Sequence, residues 1–325
     1  MKPMSRFVFV LCFLISSKIF SQPDSLFFKQ ATIPLNPVWT QDNKFGVDIN
    51  QVAFVNWNSG GVNSIAALFA LNSTLKYQYR YFTWDNFLAA RYGVNSQENQ
   101  ELRKTDDLLE VRSQLGFRKN ELANWYYSAR FSFKTQFAKG FNYPNTDNVI
   151  SKFMAPGYLF LGGGVEYGKN IEKLSTYFSP LTLKSTFVLD KDLANAGSFG
   201  VTPAEYDDDG NLIKEGERMR NELGILFTSA YESEIFQNIA IRNLVSLYTD
   251  YINDFGNIDV DWELVFDFKV NSFVRATLGS HLKYDNDVKL LVEVENSEND
   301  ELELAEEGAR VQWKQILGVG VVVDF

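Results

Sequence analysis

The stretch Ile258-Asp259-Val260-Asp261-Trp262-Glu263-Leu264-Val265-Phe266-Asp267-Phe268-Lys269-Val270 decides the fold. Its even positions are all large and apolar, and its odd positions are charged except for Val265. Side chains that alternate with period two lie on opposite faces of a β-strand, so one face is greasy and the other ionic. Three more segments repeat the pattern. Ala67, Phe69, Leu71, Leu75, Tyr77 and Tyr79 oppose Asn72, Thr74, Lys76, Gln78 and Arg80. Trp125, Tyr127, Ala129, Phe131 and Phe133 alternate with polar neighbours, and Trp313, Leu317, Val319, Val321, Val323 and Phe325 share one face at the C-terminus.

Twelve such segments run through the chain, at about 44–57, 64–81, 84–94, 107–118, 123–136, 157–167, 173–189, 217–231, 235–251, 257–270, 273–284 and 310–325. Several reach the ~9–11 residues that cross a bilayer at a tilt, and twelve is an even number, as single-chain bacterial barrels require. The connections sort by parity. Those at 82–83, 119–122, 168–172, 232–235 and 271–272 are short. Those at 95–106, 137–155, 190–216 and 285–309 are long, with 58–61 and 252–256 as shorter members of the same side. Short turns on one rim and long loops on the other are the outer-membrane arrangement, with the short side periplasmic. Tyr and Trp near strand ends (Trp84, Trp125, Tyr251, Trp262, Trp313) match interfacial girdles. The expected fold is an all-β transmembrane antiparallel barrel of about twelve strands; the alternative is a large soluble β-sandwich or lipocalin-like barrel.

Composition narrows the function. The 325 residues carry 31 Lys+Arg, 41 Asp+Glu, one Cys and one His, with a net charge of −10. An acidic chain lacks the basic face that nucleic acid requires. One cysteine and one histidine leave no disulfide framework and few zinc sites. At the N-terminus, Lys2 and Arg6 precede an apolar run from Phe7 to Ile15, then Ser16 and Ser17. That layout reads as a signal peptide over 1–21 with cleavage after Ser21, hence export to the outer membrane. Its removal would take away Cys12, Lys2, Arg6 and Lys18 and lower the net charge to −13. Residues 22–43, with Pro23, Pro34 and Pro37, are expected in the periplasm or the lumen, and 44–325 form the barrel.

The runs Asn56-Trp57-Asn58-Ser59-Gly60-Gly61, Thr83-Trp84-Asp85-Asn86 and Lys104-Thr105-Asp106-Asp107 are followed by Lys134–Phe141, Ser151–Tyr158 and Ala194–Val201. Together they resemble a family of uncharacterised Bacteroidota proteins defined by a domain of unknown function. The resemblance covers roughly residues 39–325. It implies an exported outer-membrane protein and brings no catalytic residues or activity with it.

The candidate chemistry lies on the lumen face: Glu110, Arg112, Arg130, Lys134, Glu166, Arg220, Glu222, Arg242, Glu263, Asp267, Arg275 and His281. Charges of both signs there must pair across strands or stay hydrated. They form either a structural salt-bridge network or the lining of a small polar pore. Ser280 and His281 are adjacent and point to opposite faces, so they cannot pair directly as nucleophile and base. Glu205, Asp207 and Asp209 before Gly210 resemble the opening of a calcium loop, but Gly216 stands where the closing carboxylate belongs. The alternative is a solvated acidic loop with an Asp-Gly turn. Gly162-Gly163-Gly164 with Gly168 lacks the spacing of a nucleotide fingerprint and reads as glycine that permits tight strand coiling or a bulge, or leaves room for a plug. The acidic stretch 285–309 reads as a solvated rim. No cofactor is expected. The functional expectation is a narrow or plugged barrel acting as a structural or interaction subunit of an envelope assembly, touching outer-membrane lipid and envelope proteins. The alternatives are a channel for a small polar or hydrophobic solute and, least, an outer-membrane enzyme.

Overall fold

A computed structural model describes residues 34–53, 62–120, 123–168, 173–252, 255–286, 290–295, 302–307 and 309–324. The expected signal peptide, most of the N-terminal segment, the Asn56–Gly61 run and Phe325 lie outside the described residues. Twelve strands close into an antiparallel barrel. They are β1 (Val38–Val52), β2 (Ser64–Tyr79), β3 (Phe82–Gln97), β4 (Arg103–Phe117), β5 (Trp125–Thr135) and β6 (Gly157–Tyr167). Then come β7 (Leu174–Phe187), β8 (Met219–Phe236), β9 (Ile239–Asp250), β10 (Asp259–Lys269), β11 (Val274–Tyr284) and β12 (Gln312–Asp324). Each pairs with its sequence neighbours, and β12 returns to β1. Eleven residues of β10 span about 36 Å, which at a ~45° tilt covers an apolar band about 25 Å tall.

The faces follow the alternation. Leu161, Phe131, Leu181, Leu317 and Val319 stand exposed on the outside, whereas Glu166, Lys184, Glu222 and Thr182 are buried inside. Among the described residues the inward apolar core is small: Tyr177, Leu226 and Tyr248, with Phe160 packed against them. Three outward tryptophans keep their indole N–H groups satisfied by one recurring device. Trp84 donates to Ser113 at 2.8 Å, Trp262 to Asn243 at 2.7 Å and Trp313 to Ser280 at 2.9 Å. In each case the acceptor lies two residues before the one directly opposite the tryptophan, the diagonal neighbour on the adjacent strand. The polar interruptions of the greasy face thus serve its aromatic girdle.

Pro180 would ordinarily break a central strand, since it has no N–H to give the ladder. Here it sits in a β-bulge. Gly163 to Val165 on β6 and Gly224 to Leu226 on β8 are each opposed by one residue more on β7, Phe178 to Leu181 and Ser179 to Thr182. The Ser179 hydroxyl lies 3.0 Å from the carbonyls of Gly163 and Leu181, and Thr182 donates to Ser179 at 2.7 Å. Both side chains are fully buried and fill hydrogen bonds the bulge removes. Of the three readings of Gly162-Gly163-Gly164, the bulge is the one present, with its extra residue on the partner strand. Close backbone crowds two glycines beside it. A Cβ on Gly164 would meet the Phe178 carbonyl of bulged β7 at 2.0 Å, whereas one on Gly224 would meet the Thr249 carbonyl of β9 at 2.0 Å.

Three sequence boundaries are corrected. β1 begins at Val38 rather than at 44, because Val38–Asn43 pair in register with Ser73–Gln78 of β2. Thr40, Gln41, Asp42 and Asn43 hide the strand, being polar on both faces; the backbone ladder holds them. The turn expected at 232–235 lies at 237–238, because β8 extends to Phe236 and Asn238 takes a left-handed φ of 66° that asparagine tolerates. The acidic stretch 285–309 contains a hairpin, Leu290–Glu295 paired with Leu302–Glu307, instead of continuous loop. The parity of the connections holds except between β3 and β4. There the long loop expected at 95–106 shrinks to 98–102, because β3 runs to Gln97 and β4 begins at Arg103, leaving it shorter than the short-side connections 118–124 and 168–173.

Gly224→Ala and Gly164→Ala are expected to destabilise the barrel by about 1–3 kcal/mol, because rigid backbone must move to admit the methyl group. Gly163→Ala, with no atom within 4 Å of its Cβ position, serves as the neutral comparison. Urea unfolding of the detergent-refolded protein checks this, and equal midpoints for the three variants would contradict the bulge geometry.

Candidate functional site: a charge lattice in the lumen

The inner faces of β4, β5, β10, β11 and β12 bring their charges together in the half of the lumen nearer the long loops. Asp261 is the hub. Its carboxylate lies 2.7 Å from His281 Nε2, 3.8 Å from Lys134 Nζ and 3.9 Å from Lys283 Nζ. Lys134 belongs to β5 and Asp261 to β10, five strands apart round a ring of twelve, so this pair crosses the lumen. Lys134 also approaches Glu110 at 4.0 Å, and Glu110 holds Arg112 at 3.1 Å. A second crossing joins Lys314 of β12 to Asp106 of β4 at 3.0 Å, where Arg91 adds a contact at 3.4 Å. Arg242 faces Glu263 at 3.9 Å.

Toward the short-turn rim the lattice becomes a packed network. Arg130 donates to Gln114 at 2.8 Å and to Thr228 at 2.7 Å, and stacks 4.0 Å above the Tyr177 ring. Gln114 and Ser175 both donate to Glu166. Asp267 accepts from Thr277 at 2.9 Å. On the other side, Lys184 is buried among three carboxylates: Asp259 at 2.8 Å, Glu222 at 3.3 Å and Asp285 at 3.7 Å, with the Tyr248 ring 5.1 Å away. Arg220 meets Glu222 at 3.5 Å and donates to the Gly200 carbonyl at 3.2 Å, reaching into a long loop. Arg220 and Glu222 thus stand under the loops, whereas the other residues expected on the lumen face line the lumen proper. The lumen contains three cavities of about 380, 880 and 230 Å³, the largest walled by Glu110, Lys134, Asp261 and His281.

Sequence reasoning missed Asp48, Asp106, Asp259 and Asp261. Asp48, Asp259 and Asp261 carried a readable signal, because each shares the inward parity of its strand. Asp106 shares the parity of Glu110 and Arg112 as well, but it falls in the connection expected at 95–106, whereas β4 begins at Arg103. Ser280 and His281 do point apart, Ser280 holding Trp313 outside and His281 holding Asp261 inside.

The calcium-like loop takes a different form. Asp207 accepts from the backbone of Asp209 and Asn211 and from the Asn211 side chain, which holds its carboxyl below the usual carboxylate range. Glu205 belongs to a short strand, Glu205–Tyr206, paired with Leu212–Lys214. Glu205, Asp207 and Asp209 form a capped Asx turn, and among the described residues no cluster of three His, Cys, Asp or Glu is arranged to hold a metal.

The long loops interlock above the lattice. Asp107 accepts from the backbone N–H groups of Phe137 and Ala138 at 2.7 and 2.8 Å, while Lys104 donates to Asp107 and to the Ala138 carbonyl. Gln136 donates to the Lys152 carbonyl. Ala155, Val188, Leu193, Ala194 and Val201 make a small buried core between the loops, with Phe199 against it. Asp190 caps the helix Lys191–Asn195 by accepting from Leu193 N and also accepts from Lys152. The Lys152 ammonium is the main reason its carboxyl sits below the ordinary range.

Residues 49–141 match a family model described as "Protein of unknown function (DUF3078)". That span is narrower than the resemblance read from the sequence. Among solved structures, the chain is similar to the translocator domain of the autotransporter NalP from Neisseria meningitidis. Identity there is 11%, coverage is 98% of this chain and 95% of that one, and the TM-score is 0.32. It is also similar to the COG4313 outer membrane channel from Pseudomonas putida F1, at 11% identity, with 94% and 100% covered and a TM-score of 0.39. No curated protein matches the chain.

Lys184→Met is expected to cost about 3–5 kcal/mol, because it strands buried carboxylates without their cation. Restoring urea stability by adding Glu222→Gln would trace the loss to that charge. A second expectation concerns acid. Because the folded state lowers the Asp190 pKa, its stabilisation is complete above the unfolded pKa and disappears as pH falls through the folded value. Pepsin should therefore reach the 136–156 and 188–218 loops sharply faster on going from about pH 5 to about pH 3. Asp190→Asn should be cut readily at both.

Proposed function

We propose that this protein is an outer-membrane barrel whose polar lumen is closed to wide diffusion by its own cross-lumen ion pairs. Its work, on this reading, is structural or interactive: the interlocked loops form a rigid outer surface for an envelope partner, and the chain performs no catalysis. The observation that carries this reading is the Lys134–Asp261 pair between nearly opposite strands. A wide channel has no reason to hold a cation and an anion from opposite walls within 4 Å. The membrane location is supported by the closed barrel, by the outward apolar residues and by the Trp N–H groups satisfied on the outer face. Export through a signal peptide over 1–21 belongs to the same proposal and supplies the route.

A second reading, passage of a small polar solute, is favoured by the 880 Å³ cavity with its hydrophilic walls. One experiment separates the two. The purified protein should migrate differently on a gel before and after boiling, and should show little or no single-channel conductance in a planar bilayer. Lys134→Ala combined with Lys314→Ala, which cuts both crossings, should then raise conductance. Large steady conductance from the wild type would favour the channel, and recovery of the native protein in the soluble periplasm would end the membrane reading altogether.

A further inference from the structure

The seam that closes the barrel is only partly zipped. β1 and β2 share fifteen register pairs, from Val38–Gln78 to Val52–Ser64. β1 and β12 share five, from Lys44–Asp324 to Asp48–Gly320. Continued in the same register, Ile49–Val52 would face Ile316–Val319. Among the described residues they do not pair, although β12 stays fully paired with β11 on its other edge.

The five-pair half has a visible cause. On the inner face Arg275, Gly320 and Asp48 lie in one row across β11, β12 and β1. Gly320 has no side chain, so the Asp48 carboxylate comes within 1.7 Å of where a Cβ would stand, and Arg275 reaches to 3.2 Å from the Cβ position of Gly46. The Arg275 charge acts on Asp48 across that gap. The next inward position of β12 is Gly318, whose missing Cβ would touch the Asp48 side chain at 3.6 Å, and among the described residues no register pair joins β1 to β12 beyond Asp48–Gly320.

The 380 Å³ cavity opens at this split. Its walls include outward-facing residues of both edges, Ile49 and Leu317, as well as inward ones. Leu317 is 74% exposed and Ile49 59% exposed. The lining is mixed: apolar Leu68, Ala70, Val265 and Ile316 stand among four cations, including Arg242 and Arg275, and four carboxylates, including Glu263 and Asp267. Resting on the membrane reading above, we propose that the split between β1 and β12 is a lateral entry from the bilayer. Its occupant is a single-chain amphiphile with a zwitterionic head, the head in the cavity and the tail leaving between Ile49 and Leu317. The 380 Å³ cavity has room for one such head, which limits the occupant to a single molecule. The balanced walls offer partners to both charges of a zwitterion, whereas a head of one sign would lose hydration with no surplus counter-charge to meet it.

The test uses the mature protein in phosphatidylcholine nanodiscs with lysophosphatidylcholine carrying a diazirine at the start of its tail. Adducts are mapped by mass spectrometry. The proposal expects adducts on inward Leu68 and Ile316 in the wild type. They should fall about tenfold when Gln51→Cys and Leu317→Cys are oxidised to a disulfide across the split. A Val47→Cys/Val321→Cys disulfide in the zipped half should leave them unchanged. The same tail on a carboxylate or an ammonium head should label these residues more weakly. Adducts confined to outward residues, inward adducts indifferent to the upper disulfide, or preference for a charged head would each overturn the proposal. Heat-modifiable migration is read on every sample. A heat-modifiable wild type without inward adducts fails the seam site alone, whereas a wild type that is not heat-modifiable fails the membrane reading beneath it.

Discussion

A strand surrounded by hydrocarbon can find partners for its backbone N–H and C=O groups only on the strands beside it, and closing the ring is the one way to give every strand two neighbours. The rest of this molecule is arranged around that demand. β7 cannot give an N–H at Pro180, so a bulge absorbs the proline, and hydroxyls of Ser179 and Thr182 stand in for missing ladder contacts. The adjacent strand answers with glycine, since at Gly164 the bulged backbone comes too close for any side chain; Gly224 meets the same limit against β9. The same demand governs the outer face, where each of three tryptophan N–H groups is met by a diagonal Ser or Asn. It is least satisfied at the seam, where only five pairs bind the first strand to the last.

The inner face obeys a different constraint. On the reading of a narrow lumen proposed above, charged side chains there are poorly hydrated, so each must find a counter-charge or several hydrogen bonds. Near neighbours supply some of these, such as Arg112–Glu110 within β4. Others come from far round the ring, and those are the pairs that cross the lumen. The consequence is mechanical as well as electrostatic. Lys134–Asp261 and Lys314–Asp106 tie opposite walls, while Lys184 gathers carboxylates from β8, β10 and the end of β11. A barrel braced in this way resists both widening and collapse.

How much of this was legible in the sequence depends on which physical term sets each feature. Strand number, face assignment and loop parity came directly from alternation, because a single-residue slip would turn Leu264 inward and Glu263 into lipid. The first six residues of β1 were not legible, since Val38–Asn43 are held by the β2 ladder and carry no amphipathic signal. Nor was the β8–β9 turn, where Glu232, Ser233 and Glu234 look like loop but continue the strand to Phe236. The lumen residues were legible as a face, one strand at a time. Their partners were not: that Lys134 meets Asp261 depends on barrel diameter and strand stagger, which no local pattern encodes.

Four of the six runs that gave the sequence its family resemblance meet in the structure, while Thr83–Asn86 stands at the short-turn end of β3 and Asn56–Gly61 lies outside the described residues. Lys104–Asp107 grips the backbone at Phe137 and Ala138, Gln136 reaches Lys152, and Ala155 packs with Ala194 and Val201. Four separate runs of sequence thus converge on the cap above the long-loop rim. Strand residues need only alternate, so many sequences build the same wall. A loop that must seat an aspartate on two particular amides, or an alanine in a core of five residues, tolerates far fewer. These four runs are therefore the recognisable sequence whose geometry is least replaceable, and they gather at the long-loop rim, the surface that the proposed envelope partner would meet.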